Sequence, residues 1–309
     1  MTCDMSPIVQ TIGVSAQQGY LPAALFFPVE QHGKRRGMPL DFEQSGMMSC
    51  IGKAQLLLQR PVGGGGAGTA EIILQSSTIT MQAGFGSVAA DGFGALYGAL
   101  AEKGAQGYTL NAVIDEPNQR MTGFLSAATT VHLVMSRRPG AQGAAPKQYT
   151  IVSVPVNIQV SGLTSVTATM PELMPTLAKF LSEGHRVAAI YNPPVIAQRG
   201  LFSGTTQCHI IFEKTATIYT SAVADSAFTV SQSCCSMDVA HQYLPSCGAF
   251  LKAGWELAGI IDMPDRRLTG MASGASTVKM IFQAPTTASA SGPTSAPAEQ
   301  VMEAEKVLL

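Results

Sequence analysis

Cys234, Cys235, His241 and Cys247 are the nearest approach to a metal-binding set in this chain of 309 residues. Their spacing, Cys-Cys-x5-His-x5-Cys, matches no zinc-ribbon or finger pattern, and adjacent cysteines do not converge easily on one tetrahedral ion. Free cysteine is among the most frequently buried residue types, so reduced core thiols are expected. His132 and His209 are the candidates for acid–base work. Both stand second in an apolar strand, at corresponding places in two repeats, which favours a structural role. No serine lies in a Gly-x-Ser-x-Gly elbow. The acidic pair Asp115 and Glu116 falls at a strand end beside a turn, where solvated carboxylates are ordinary. The glycine run from Gly63 to Gly68 is not followed by Gly-Lys-Ser/Thr and lacks the phosphate-loop signature. No catalytic residue, no metal and no cofactor is expected.

Basic residues show a clearer pattern. Lys34, Arg35 and Arg36, then Arg120, then Arg199, then Arg266 and Arg267 each follow the proline that ends a repeated strand. If the repeats share an orientation, these residues lie along one rim and contact an anionic membrane there, each worth about 1 kcal/mol near the surface. Charged turn tips in solvent are the plainer alternative.

The elements that must position these residues come from a motif that occurs four times. It begins at Gly19, Gly107, Gly184 and Gly254, each followed by a ring (Tyr20, Tyr108, His185, Trp255), an apolar run and a proline. Glycine just past a helix supplies its left-handed cap, the ring turns back into the core, and the apolar run forms a buried strand. A second strand closes each repeat, ending 42, 32, 31 and 31 residues after the glycine. Four matches at nearly constant spacing indicate internal duplication.

Opening strands are expected at Glu71 to Thr80, Tyr149 to Val160 and Ala216 to Val223, with helices at Gly94 to Lys103, after Pro171, and near Ala240 to Lys252. The clearest helix carries a stripe of Leu173, Leu177, Phe180 and Leu181. The first repeat lacks an opening strand. The expected fold is therefore α+β: four strand-helix-strand-strand repeats in two fused pairs, antiparallel sheets with helices packed on one face. The Gly- and Ala-rich stretch from Pro139 to Pro146 separates an N-terminal pair, residues 1–140, from a C-terminal pair, residues 147–285. Residues 286–309 have the composition of a disordered tail.

Hydrophobic residues make up 46%, ample for real cores, and charged residues only 13%. With a net charge of −1 no global field draws the chain to nucleic acid, so nucleic-acid binding is not supported. No apolar run reaches the ~20 residues that cross a bilayer. With no apolar leader and scattered cysteines, a cytosolic protein is expected.

Several of these segments also carry a family likeness. Gln17-Gln18-Gly19-Tyr20-Leu21-Pro22, Val187-Ala188-Ala189-Ile190-Tyr191, Gly200-Leu201-Phe202-Ser203-Gly204, His209-Ile210-Ile211-Phe212-Glu213 and Trp255-Glu256-Leu257, in this order over residues 10 to 285, resemble the raftlins. The resemblance implies a non-enzymatic scaffold or adaptor, peripherally associated with the inner face of the plasma membrane or endosomes. Its roles would be lipid-raft organisation, receptor signalling and endocytic trafficking, with trafficking or receptor proteins as partners. It also implies lipidation at Cys3, the counterpart of the family's acylated cysteine, whereas Thr2 stands where myristoylation requires glycine. The alternative is a soluble small-ligand-binding module with a pocket between paired repeats.

Overall fold

A computed structural model describes residues 6–18, 20–26, 43–46, 49–51, 55–59, 71–84, 87–115, 120–123, 126–137, 145–161, 165–193, 196–200, 203–231, 247–264, 266–270 and 273–286. The first unit contains helix α1 (Ser6–Gln17) and strands β1 (Leu21–Phe26), β2 (Glu43–Gly46), β3 (Ser49–Ile51) and β4 (Gln55–Gln59). The second contains β5 (Glu71–Gly84), β6 (Ser87–Asp91), α2 (Phe93–Ala105), β7 (Thr109–Asp115), β8 (Arg120–Gly123) and β9 (Ser126–Arg137). In the third, β10 (Tyr149–Ser161), β11 (Ser165–Thr169), α3 (Leu173–Ser182), β12 (His185–Tyr191), β13 (Ile196–Gly200) and β14 (Ser203–Lys214) follow the same order. The fourth has β15 (Tyr219–Ser231), a helical segment at 247–252, β16 (Glu256–Asp262), β17 (Arg266–Gly270) and β18 (Ser273–Pro285).

The second and third units thus run strand, strand, helix, strand, strand, strand, richer than the expected strand-helix-strand-strand. The additional strands β6, β8, β11, β13 and β17 are only four or five residues long, too short for a period-two pattern to stand out. All ladders are antiparallel: β9 pairs along its length with β5, and on its other edge with β8 and then β7. The same arrangement recurs as β10, β14, β13 and β12.

The glycine motif does what its residue types require. Gly107, Gly184 and Gly254 have φ of 82°, 77° and 84°, the left-handed region that side chains disfavour. Tyr108 N–H donates to Lys103 O and Trp255 N–H to Phe250 O, the six-to-one bond that closes a helix C-terminus. Tyr20 N–H makes the matching bond to Ser15 O in the first unit. Four residues beyond each glycine the ladder skips one residue: Ala23, Asn111, Ala188 and Ala258 are bulged. The rings after the glycines divide. Tyr108 and Trp255 are buried, His185 is half-buried, and Tyr20 is 38% exposed, so the inward-turning ring is a property of two units among the four.

The sheets are predominantly antiparallel and the helices few. Strand predominates among the described residues, well above the ~20–25% of an average domain. Helices packed on one face describe only part of the arrangement, because α2 and α3 are each covered by strands of two consecutive units. Leu96 and Leu100 of α2 pack on Leu133 and Met135 of their own unit and on Ala188, Ala189, Tyr191 and Ile211 of the third. Leu173, Leu177 and Leu181 of α3 pack on Ile210 and Phe212, and on Ala258, Ile261, Met263 and Ile281 of the fourth. Ile12 of α1 meets Ala112, Ile114 and Val134 of the second. The buried positions of each helix form one stripe, Leu96, Leu100 and Gly104 in α2 and Leu173, Leu177 and Leu181 in α3, and that stripe is covered by strands of two units together.

Hydrogen bonding follows the same order. β13 pairs with β6 and β17 with β11, joining units two to four in one sheet of 14 strands that continues on either side of residues 139–146. The post-glycine strands pack in succession, β1 on β7, β7 on β12 and β12 on β16, while β1 also packs on β16. The four units therefore close into a ring. No helix among the described residues is long and apolar enough to cross a membrane.

Trp255 fills the fourth core with its ring edge-on to Phe250, 5.9 Å between centroids. Trp255→Ala is expected to cost about 3 to 5 kcal/mol in an equilibrium denaturation; a change below about 1 kcal/mol would contradict this packing.

Candidate functional site

The polar groups that the strands carry into the interior cluster at the junctions between units. Twenty-five residues after their glycines stand His132, His209 and Lys279, each opposite a polar residue on the unit's opening strand: Ser76, Ser153 and Asp225. Side chains alternate along a strand, so these three share a face with Val134, Ile211 and Ile281, the face that covers the preceding unit's helix. Ser76 Oγ lies 2.9 Å from His132 Nδ1, and Lys279 Nζ lies 2.8 Å from Asp225 Oδ1.

His209 is the most enclosed and the richest in chemistry. It is 6% exposed, with Phe93 and Tyr97 of α2 and Tyr191 of β12 around its ring at centroid distances of 5.2, 5.8 and 6.2 Å. Tyr97 OH bonds to Nδ1, and Gln207 Oε1 lies 3.4 Å from Nε2. A neutral imidazole with its proton on Nε2 satisfies both contacts: the phenol donates to Nδ1 and the ring donates to the amide oxygen. Burial pushes the imidazole down to about 4 and the Tyr97 phenol above its ordinary range. The pair is consequently held neutral, a hydrogen-bonded link from the second unit to the third.

Four positions farther along the same strands stand Ser136, Glu213 and Gln283, all buried. Ser136 Oγ donates to Asn111 Oδ1, the side chain of the bulged residue in β7, at 2.7 Å. Glu213 is 1% exposed and receives Arg186 through Nη2 at 2.7 Å and Nε at 3.2 Å, with Lys147 Nζ at 2.9 Å on its other oxygen. A buried carboxylate is tolerable only with such partners. Gln283 crosses from the fourth unit to the third: Val187 N–H donates to its Oε1 at 2.8 Å, and its Nε2 donates to Val187 O at 2.9 Å. Tyr149 is its counterpart at the preceding junction, accepting from Leu110 N–H at 2.8 Å and donating to Tyr108 O at 3.1 Å. Leu110 and Val187 both sit three residues after their glycines, beside the bulge.

Sequence reasoning placed His132 and His209 in equivalent strand positions, and the structure agrees. It missed Tyr97, Tyr149, Glu213 and Gln283. The available signal was a polar residue at one fixed place in three otherwise apolar strands. Cys208 and Cys247 are buried, and burial pushes their thiols up to about 12 and about 11, which leaves them unreactive. Cys247 packs against Met280 with its sulfur 3.4 Å from the thioether. Cys234, Cys235 and His241 lie outside the described residues, among which no three His, Cys, Asp or Glu side chains converge on a metal position.

Of the basic rim, Lys34, Arg35 and Arg36 lie outside the described residues, as does Cys3. Arg120 opens β8, Arg199 lies in β13, and Arg266 and Arg267 open β17, three strands at equivalent places. Arg120 pairs with Ala128 and Arg267 with Ala275, the same register position, whereas Arg199 falls two residues later at a bulge. These arginines therefore occupy short strands rather than the loops before them.

Replacing Gln283 with Leu keeps the volume but strips both partners from Val187. Each buried backbone group left unpaired costs about 1 to 3 kcal/mol, so Gln283→Leu is expected to lower stability by about 2 to 5 kcal/mol in urea. A midpoint unchanged from the parent chain would show that the clamp is dispensable. No protein-family model, curated protein or solved structure matches the chain.

Proposed function

We propose that the chain is a non-enzymatic scaffold that docks on the cytoplasmic face of a membrane and serves lipid-raft organisation, receptor signalling or endocytic trafficking. The observation that carries the non-enzymatic reading is the use made of groups fit for catalysis. His209, Tyr97, Glu213 and Arg186 are engaged in bonds within and between units, and the buried thiols Cys208 and Cys247 are poor nucleophiles. These bonds give each group a structural use that accounts for its place in the interior. The membrane reading rests on the raftlin-like segments, on Arg120, Arg199, Arg266 and Arg267 recurring in equivalent strands, and on Cys3 as lipid attachment point. Trafficking or receptor proteins are the proposed partners.

A soluble ligand-binding module is the second reading, favoured by the aromatic nest of Phe93, Tyr97 and Tyr191 at the junction between the second and third units. A metabolite retained through purification and detected by native mass spectrometry would favour it.

Co-sedimentation with phosphatidylserine vesicles tests the scaffold reading. Basic residues contribute about 1 kcal/mol each near an anionic surface, so binding should be weak, should fall at physiological salt, and should fall again in the Arg266→Ala/Arg267→Ala chain. Binding indifferent to salt and to both substitutions would sink the electrostatic contact. In cells, Cys3→Ser should move the chain out of the membrane fraction; an unchanged distribution would remove Cys3 as the anchor, since a single acyl chain is the most it could carry.

A further inference from the structure

The matching pair at each junction is not the same chemistry in each unit. In the fourth unit a cation, Lys279, stands opposite a carboxylate, Asp225, at 2.8 Å. In the third, His209 stands opposite Ser153, which can accept a hydrogen bond but brings no charge. What faces the His209 ring is Phe93 and Tyr97 from α2, Tyr191 from β12, and Gln207 from its own strand. None of these is a carboxylate. Asp91, the acid nearest the start of α2, accepts from Gly92 N–H and is turned to solvent. Glu213 lies four residues along β14 and is bound by Arg186 and Lys147.

A proton arriving on Nδ1 therefore meets a phenol that is donating to that nitrogen, and the resulting charge is enclosed by three aromatic rings with no counterion among the described residues that face it. Protonation thus costs more in the closed junction than in an opened one. We propose that the contact between His209 and Tyr97 is an acid-sensitive latch that holds the third unit against α2. This inference is independent of the scaffold reading.

The direction follows from burial. The folded imidazole titrates at about 4 and an ordinary one at 6.5, so an opened junction binds the proton before the closed one does. The latch is intact above about pH 6.5 and weakens as pH falls toward 4. At pH 4.5, opening should be favoured about 60-fold over its level at pH 7, the ratio set by an imidazole that titrates at 6.5 when open and at about 4 when closed.

Two measurements on the full chain test this. In a carbon-detected NMR titration of the histidine rings, the ring in contact with Tyr97 should titrate near 4. Amide exchange of α2, corrected for the intrinsic rate at each pH, should report the rise in opening of about 60-fold between pH 7 and pH 4.5. Helix α3, whose covering sheet carries Lys279 and Asp225, should not follow. His209→Gln, which can still accept from Tyr97, should abolish the response of α2. A ring that titrates near 6.5 overturns the proposal. So does one that titrates near 4 while α2 keeps its protection, or an α2 response that survives in His209→Gln.

Discussion

Each of the four post-glycine strands contains one residue more than its ladder can pair, and the rest of the structure depends on how that surplus is accommodated. The bulge lies four residues after the helix-ending glycine, at Ala23, Asn111, Ala188 and Ala258. It breaks the alternation of the strand, so that Ala188 and Ala189 both face the second unit's core. Next to the bulge, a backbone N–H loses its ladder partner inside the protein. Leu110 and Val187 find theirs on residues of the following unit, Tyr149 and Gln283. A buried amide left unpaired costs about 1 to 3 kcal/mol, comparable with a large share of a domain's net stability. The neighbour is thus needed twice, once to cover a helix and once to satisfy a strand.

The interlock gives the small residues their places. Gly104 at the end of α2 has Lys147 O and the Tyr149 ring 2.8 Å from where a Cβ would stand, which lets the clamp reach the strand. Gly259 in β16 has Ile190 of β12 within 2.7 Å of the same point, so the fourth unit seats directly on the third. Between these contacts the polar residues settle their charges locally, with Arg186 and Lys147 on Glu213 and Lys279 on Asp225. His209 is the member that holds its place without a charge.

Much of the repeat was legible because a helix-ending glycine, a ring and a closing strand at constant spacing are local features. Gly107, Gly184 and Gly254 have the predicted left-handed backbone, and Leu173, Leu177 and Leu181 form the predicted buried stripe. The relation between units was not legible. Leu133 and Val134 look alike in sequence, yet Leu133 faces its own helix and Val134 faces α1 of the unit before. An apolar strand covered on both faces carries no mark of what covers each face. Gln283 and Glu213 resembled ordinary strand ends, because nothing in one sequence tells an exposed polar terminus from a buried clamp.

The central claim is that each core is shared between consecutive units. Leu177 tests it, because it is fully buried in α3 between strands of the third and fourth units. Native-state hydrogen exchange of the full chain, parent against Leu177→Ala, reads the protection of β14 and β18 separately. A shared core predicts that both strands lose about 2 to 5 kcal/mol of protection together. Loss confined to β14, with β18 unchanged, would mean that the units are stable on their own and would contradict the account.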